Sequence, residues 1–191
     1  MRMSGIELID GAGHWIQQEQ LDGPGESFVA LGENQYYWVF LEKVWDAVSI
    51  YNGPDAFLHQ FAQLPQAAGD LYAAHWLVSE IINGAFPQFF SNSTGVLAPE
   101  AVAALGRMGL TPAAECAEAA MSFFGEQYPR DRGIRSEMID WVWETEMTED
   151  QEADLATLLG ISGDFLDAVG NDGARFVQAA NEYAANHLAS V

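Results

Sequence analysis

The sequence predicts an all-α fold: a single compact bundle of about seven to nine helices with a glycine-rich N-terminal segment, in one domain spanning residues 1–191. Apolar residues recur at three- and four-residue spacing from residue 35 onward, the period of a helix face turned to a core. Alternating strand patterns are scarce. Prolines and glycines fall between the periodic stretches, where helices start and stop. With 49% hydrophobic residues and 12% aromatics, the chain has the material to bury that core and is not a disordered polymer.

Residues 1–33 read as irregular, because Gly11, Gly13, Gly23, Pro24, Gly25 and Gly32 interrupt any period. A first helix face runs through Tyr37, Phe40, Leu41, Val44, Val48 and Tyr51 until Asn52-Gly53-Pro54 stops it. Phe57, Leu58, Phe61 and Leu64 mark a second helix before Pro65. A third carries Leu71, Ala74, His75, Val78, Ile81 and Ile82 and closes at Asn83-Gly84, where a glycine can take the left-handed cap. Pro99 suits the first position of a helix from Ala98 to about Met108, and Thr111-Pro112 opens the next by the same logic. After a break from Gly125 to Gly133, Ile134, Met138, Trp141 and Val142 share one inward stripe. Thr148 with Gln151 is a capping box, opening a helix that Gly160 should close. Two more are expected over 162–169 and from 172 to about 188.

Charge narrows the function. Twenty-eight acids against seven bases leave a net charge of −21, and Lys43 is the only lysine. Direct binding to DNA, RNA or anionic lipid rests on clustered bases and is excluded on this composition. The field that repels phosphate attracts proteins that bind phosphate. No apolar run approaches the ~18 residues of a membrane helix. The start lacks a signal-like stretch, and the lone Cys116 fits a reducing compartment, so a cytoplasmic protein is expected.

The acids are concentrated. Glu137, Asp140, Glu144, Glu146, Glu149, Asp150, Glu152, Asp154, Asp164, Asp167 and Asp172 lie in one stretch without a base, and they are the candidate partner-binding surface. On one helix Glu137, Asp140 and Glu144 would fall within about 60° of each other. Such a face cannot match duplex charge density by itself. One DNA strand carries a phosphate about every 3.4 Å, whereas a helical turn advances about 5.4 Å. Several elements, or two subunits side by side, would have to share the surface. Trp143, off the core stripe, is the candidate exposed aromatic.

Other chemistry is thin. His14, His59, His75 and His187 are scattered without metal-ligand spacing, so neither a metal nor a cofactor is expected. His75 lies on an apolar face and reads as a core histidine. Cys116 sits among alanines with no basic neighbour to activate it.

One local motif is specific. Asn83-Gly84-Ala85-Phe86-Pro87-Gln88-Phe89-Phe90-Ser91-Asn92-Ser93-Thr94-Gly95 resembles the signature of a bacterial DNA-mimic protein family, catalogued as a domain of unknown function. That signature is an Asn-Gly-Gly-Phe turn, a glutamine, an aromatic pair and an Asn-rich turn into a helix; Ala85 stands where it has the second glycine. The likeness continues from Ala98 to Phe124, so residues 66–128 hold the signature core and 134–191 the acidic C-terminal helices. The resemblance implies a dimeric protein that imitates DNA. The residues themselves suggest a structural corner. Phe86, Phe89 and Phe90 pin it to the core, while Asn83, Gln88 and Asn92 satisfy backbone groups and Gly84 and Gly95 allow the turns.

The leading expectation is therefore a non-enzymatic acidic module that occupies the DNA-binding surface of a basic partner: a transcriptional regulator, nucleoid protein or nuclease. The alternatives are an immunity- or antitoxin-like inhibitor of one toxin, and an enzyme using the Asn83–Asn92 corner with Glu80 as its base.

Overall fold

The computed structural model describes residues 8–9, 15–16, 31–32, 35–144 and 146–188. Eight α-helices carry the described chain: α1 (Trp38–Glu42), α2 (Pro54–Phe61), α3 (Gln66–Ser91), α4 (Ala98–Arg107), α5 (Thr111–Met121), α6 (Arg132–Ile139), α7 (Glu149–Val169) and α8 (Ala174–Leu188). Two short strands, β1 (Leu8–Ile9) and β2 (Trp15–Ile16), pair antiparallel with Leu8 opposite Ile16. The rest of the glycine-rich segment expected to be irregular falls mostly outside the described residues.

Helix α3 is the axle of the bundle. It packs against α1, α4, α6, α7 and α8, while α5 bridges α4 to α7. Every residue from Ala68 to Ile81 is buried, as expected for a helix apolar on nearly all sides. The polar residues along it are answered by neighbours. Asp70 takes a two-point contact from Arg107 (2.7 and 2.5 Å) and a hydrogen bond from the Tyr183 hydroxyl (2.6 Å), tying α4 and α8 to the axle. His75 is a core histidine, with Nδ1 3.1 Å from the Tyr37 hydroxyl and its ring against Trp38 and Trp45.

Locally encoded boundaries fall where the residues place them. Pro54, Pro99 and Pro112 each sit in the first turn of a helix. The capping box opens α7: Thr148 Oγ1 accepts from Gln151 N (3.3 Å) and Gln151 Oε1 from Thr148 N (2.9 Å).

Five expectations change. The long helix over residues 35–51 is only α1 plus a 3-10 turn, Trp45–Ala47, after which Val48 is extended. The chain leaves the helix because Trp45 must stack on Trp76 of α3 (4.9 Å, 22°), and Tyr51 is left 68% exposed. Gly160 does not close a helix. α7 runs through it to Val169, where Gly170 at φ +81° makes the stop. The separate helix expected over 162–169 is the second half of α7, and the Ser162 hydroxyl bonds back to the Leu158 carbonyl (2.8 Å) and accepts from Phe86 N (3.1 Å) inside the core.

The Ile134–Met138 stripe also does not face inward. Ile134 is 52% and Met138 42% exposed, because α6 turns Arg135 and Ile139 to the core. α6 ends at Ile139, a 3-10 turn follows, and Glu144 is extended, so Glu137, Asp140 and Glu144 do not share one helix face. Finally, Gly84 is not the left-handed residue. It has φ −167°, and the kink that divides α3 places Ala85 at φ +65°, ψ −177°.

That last conformation belongs almost wholly to glycine and costs an alanine about 1–3 kcal/mol. Ala85→Gly should therefore raise stability by about 1 kcal/mol, after ~0.4–1 kcal/mol of added unfolded-chain freedom is deducted. Gly160 is helical, exposed and has open space around it, so Gly160→Ala should add about 0.5–1 kcal/mol. Each would appear as a melting temperature higher by a few degrees. A loss of stability in Gly160→Ala would mean that α7 ends there.

Candidate functional site

The signature builds a corner around two buried charged groups, one from α3 and one from α6. Glu80 is 2% exposed. One of its oxygens accepts from Gln88 Nε2 (3.0 Å) and Asn92 Nδ2 (2.9 Å), the other from Thr94 Oγ1 (2.5 Å). Burial pushes its carboxyl pKa up, against the three donors and the charge of Arg132. Gly84 is needed here for space: a Cβ would lie 1.8 Å from Gln88 Oε1. Asn83 is half-buried just ahead of the kink.

Arg135 is the other group, and nothing in the sequence singled it out. Fully buried, it donates to the carbonyls of Phe90 (2.9 Å), Asn92 (2.8 Å), Arg130 (2.5 Å) and Pro129 (3.2 Å). Burial lowers its pKa, with Arg132 and Arg130 pushing the same way. Gly95 leaves room for it, since a Cβ would come within 2.7 Å of its Nε and 2.9 Å of the Phe89 carbonyl. Phe86, Phe89 and Phe90 are buried as expected, with Phe86 stacked on Phe90 and edge-on to Phe165 of α7. The sequence signal available for Arg135 was its place four residues after Asp131, the N-cap of α6, and four before Ile139, the other buried residue of that helix.

The remaining described arginines are committed in the same manner. Arg130 pairs with Glu100 through both nitrogens (2.6 and 2.9 Å) and also donates to the Val96 carbonyl. Arg132 donates to the Ser91 carbonyl, Arg175 to the Asp167 carbonyl, and Arg107 to Asp70. Lys43 lies over the Phe40 ring at 5.4 Å.

The acids show the opposite distribution. All eleven residues from Glu137 to Asp172 named above are exposed. Six lie on α7: Glu149, Asp150, Glu152, Asp154, Asp164 and Asp167. At ~100° per residue, all but Asp154 occupy the half of the helix opposite Leu155, Leu158, Phe165 and Val169. They gather at its two ends, and Ala156, Thr157, Leu159 and Gly160 leave the exposed middle uncharged. Glu149, Asp150 and Glu152 also sit in the first turn, where carboxylates favour the helix dipole. Asp172 is partly structural, accepting from Ala174 N at the start of α8.

Helix α5 adds to this face. The Cys116 thiol is pushed up by burial and then by the charges of Asp164 of α7 and Glu115 of α5, and α5 packs along α7. Glu115 lies outside the acidic stretch of the sequence and joins it only in the fold. Trp143, expected exposed, is half-buried, with Nε1 3.3 Å from Ser91 Oγ. Among the described residues no group of histidine, cysteine or carboxylates is arranged to hold a metal ion, and no helix is long and apolar enough to cross a membrane.

Fold and charge together define a class: a helical protein whose few described arginines each bond within its own chain, and whose acids from Glu137 to Asp172 all face outward. Within that class, the family model of the DMP19-like proteins matches residues 62–187, well over half of the chain, and the chain belongs to that family, the DNA-mimic family its signature resembles. No curated protein and no solved structure matches it. The family match reaches far beyond the Asn83–Phe124 stretch on which the resemblance rests, taking in Arg135, the acidic helix α7 and nearly all of α8.

The Glu80 corner makes a pH-dependent prediction. Because its folded pKa is raised, Glu80 contributes most below its ordinary pKa and loses that contribution as pH rises through the raised value. Glu80→Gln keeps an oxygen for the two amides and offers a donor to Thr94, so the variant should fold and its stability should decline less with rising pH. Glu80→Ala leaves the buried donors of Gln88 and Thr94 and the half-buried one of Asn92 unanswered and should cost about 3 kcal/mol or more. Denaturant titrations across the acidic and neutral range measure both.

Proposed function

We propose that this protein is a non-enzymatic DNA mimic that covers the DNA-binding surface of a basic protein, such as a transcriptional regulator, nucleoid protein or nuclease. The observation that carries this reading is the partition of charge. Each described arginine donates to a carbonyl or carboxylate of its own chain, while the acids of residues 137–172 all face solvent. A partner's lysines and arginines thus meet carboxylates with few competing internal bases, and association is fast and salt-sensitive.

Dimensions argue for more than one helix. Glu149 and Asp167 lie on the same line of α7 about 27 Å apart. One DNA strand carries about eight phosphates over that length. The six acids of α7 spread over a wider arc and leave its middle uncharged. Glu115 and Glu118 of α5 widen the surface, and two copies side by side would extend it further. The signature corner serves in this reading as the scaffold that orients α6 and α7, with Gln88, Asn92 and Thr94 spent on Glu80. A role among DNA-binding proteins of a bacterial cell is a cytoplasmic one.

Capture from bacterial lysate at about 50 mM salt should recover basic DNA-binding proteins and release them by about 300 mM. Changing Glu149, Asp150, Glu152 and Asp154 to the corresponding amides should weaken capture about tenfold or more with the fold intact by circular dichroism. Recovery of only neutral or acidic partners, or unchanged capture by the amide variant, would overturn the reading.

A further inference from the structure

A concave site lies away from the acidic helices, between the α1–α2 connection and α3. It is a cavity of about 330 Å³ lined by Trp45, Asp46, Val48, Ser49, Ile50, Tyr51, Tyr72 and Trp76. That volume is near the low end of the ~300–1,000 Å³ range of ligand pockets, suited to a side-chain-sized group. Its base is aromatic. Trp45 stacks on Trp76 (4.9 Å, 22°) and meets Tyr72 edge to face (5.6 Å, 61°). Its rim is formed by exposed Asp46 and by Tyr51, 68% exposed. The chain places these residues deliberately: the helix breaks after Lys43, Gln60 of α2 holds Ser49 N (2.7 Å), and Tyr72 OH donates to the Val48 carbonyl (3.4 Å).

The rings a ligand would meet are half-buried Trp45 and exposed Tyr51, with buried Tyr72 and Trp76 beneath them; such rings attract cations through their π-faces, and a carboxylate at the rim adds a full opposite charge. Asp46, Tyr51 and the rings line one cavity, and the Tyr72 hydroxyl beneath them is pushed up to about 12, chiefly by burial. Exposed Tyr51 is also the kind of residue that supplies binding energy at a protein interface.

We infer that the Trp45–Tyr51–Tyr72–Trp76 cavity with Asp46 is a receptor for one arginine or lysine side chain of the basic partner. The inference rests on the proposal of a basic partner and deepens it. The broad acidic surface provides attraction, and this cavity provides a specific anchor. A carboxylate lattice answers many positive charges equally, whereas an aromatic cavity with one acid accepts a single cationic head and fixes register.

The test uses the full chain and Nα-acetyl-arginine amide, followed by tryptophan emission, with the neutral Nα-acetyl-citrulline amide as isostere. Saturable emission change with the arginine derivative and none with the citrulline one is expected. Asp46→Asn, an exposed and mild change, should weaken the arginine derivative about fivefold, the scale of one partly exposed ion pair. Trp45→Leu should weaken it further and remove part of the signal. The site is disproved if neither derivative saturates, if both bind alike, or if Asp46→Asn binds as the parent does. Lysate capture with the same variant separates the two ideas. Capture of basic proteins that is indifferent to Asp46→Asn overturns the anchor and leaves mimicry standing. Arginine binding without capture of basic proteins overturns mimicry and leaves the cation site.

Discussion

Arg135 is a fully buried guanidinium held by the carbonyls of Phe90, Asn92, Pro129 and Arg130, and the corner of the bundle is shaped around it. Taking a charge out of water costs several kcal/mol unless its donors are answered. The chain answers them with carbonyls at the end of α3 and in the loop before α6, groups that helix termini and turns leave without intrahelical partners. That one requirement sets several others. Gly95 must lack a side chain, Tyr128 closes over the guanidinium and bonds the Gly95 carbonyl, and α6 must dock on α3 with Arg135 inward. Ile134 and Met138 are turned to solvent as a consequence.

The opposite end of the same corner holds a carboxylate in an equally closed setting. Glu80 collects the side chains of Gln88, Asn92 and Thr94, which are the polar members of the signature. Hydrogen bonds to an ionised or partly shared carboxyl are among the stronger ones, but leaving its donors unmet is costlier still. The kink at Gly84 and Ala85 brings these groups round to face Glu80. The motif is thus a means of burying polar groups in the middle of a long core helix. Ala85 bears a backbone conformation suited to glycine, so the geometry is held by the packing of Phe86, Phe89 and Phe90 rather than by local preference.

A chain with seven bases could scatter them among its acids to reduce repulsion. Here the described arginines instead close carbonyls and carboxylates between elements: Arg107 from α4 to α3, Arg130 to α4, Arg132 and Arg135 to the end of α3. Cohesion and surface field are linked by that choice. A bond to a carbonyl leaves the guanidinium charged, so these struts fix where the few positive charges lie, and the outward field follows from the excess of acids over bases.

Local signals in the sequence were decisive where the physics is local. Pro99, Pro112 and the Thr148–Gln151 box mark helix starts because their effects act within one turn, and the all-α class follows from apolar spacing summed over the chain. The acidic excess was legible too, since most carboxylates stay in water whatever the fold, Asp70 and Glu80 being the buried exceptions among the described residues. Ser162 and the Ile134–Met138 stripe misled because each was decided by a partner far along the chain, Phe86 N for Ser162 and the carbonyls of Phe90 and Asn92 for Arg135, whereas Gly160 simply continues a helix and Gly84 makes room for Gln88 one turn on. Composition and period by themselves determined a helical, strongly acidic protein with a turn at residues 83–95. Only the tertiary structure decided where its few cations go and which acids stand together, because burying an arginine or joining Glu115 to Asp164 depends on contacts between segments far apart in the chain.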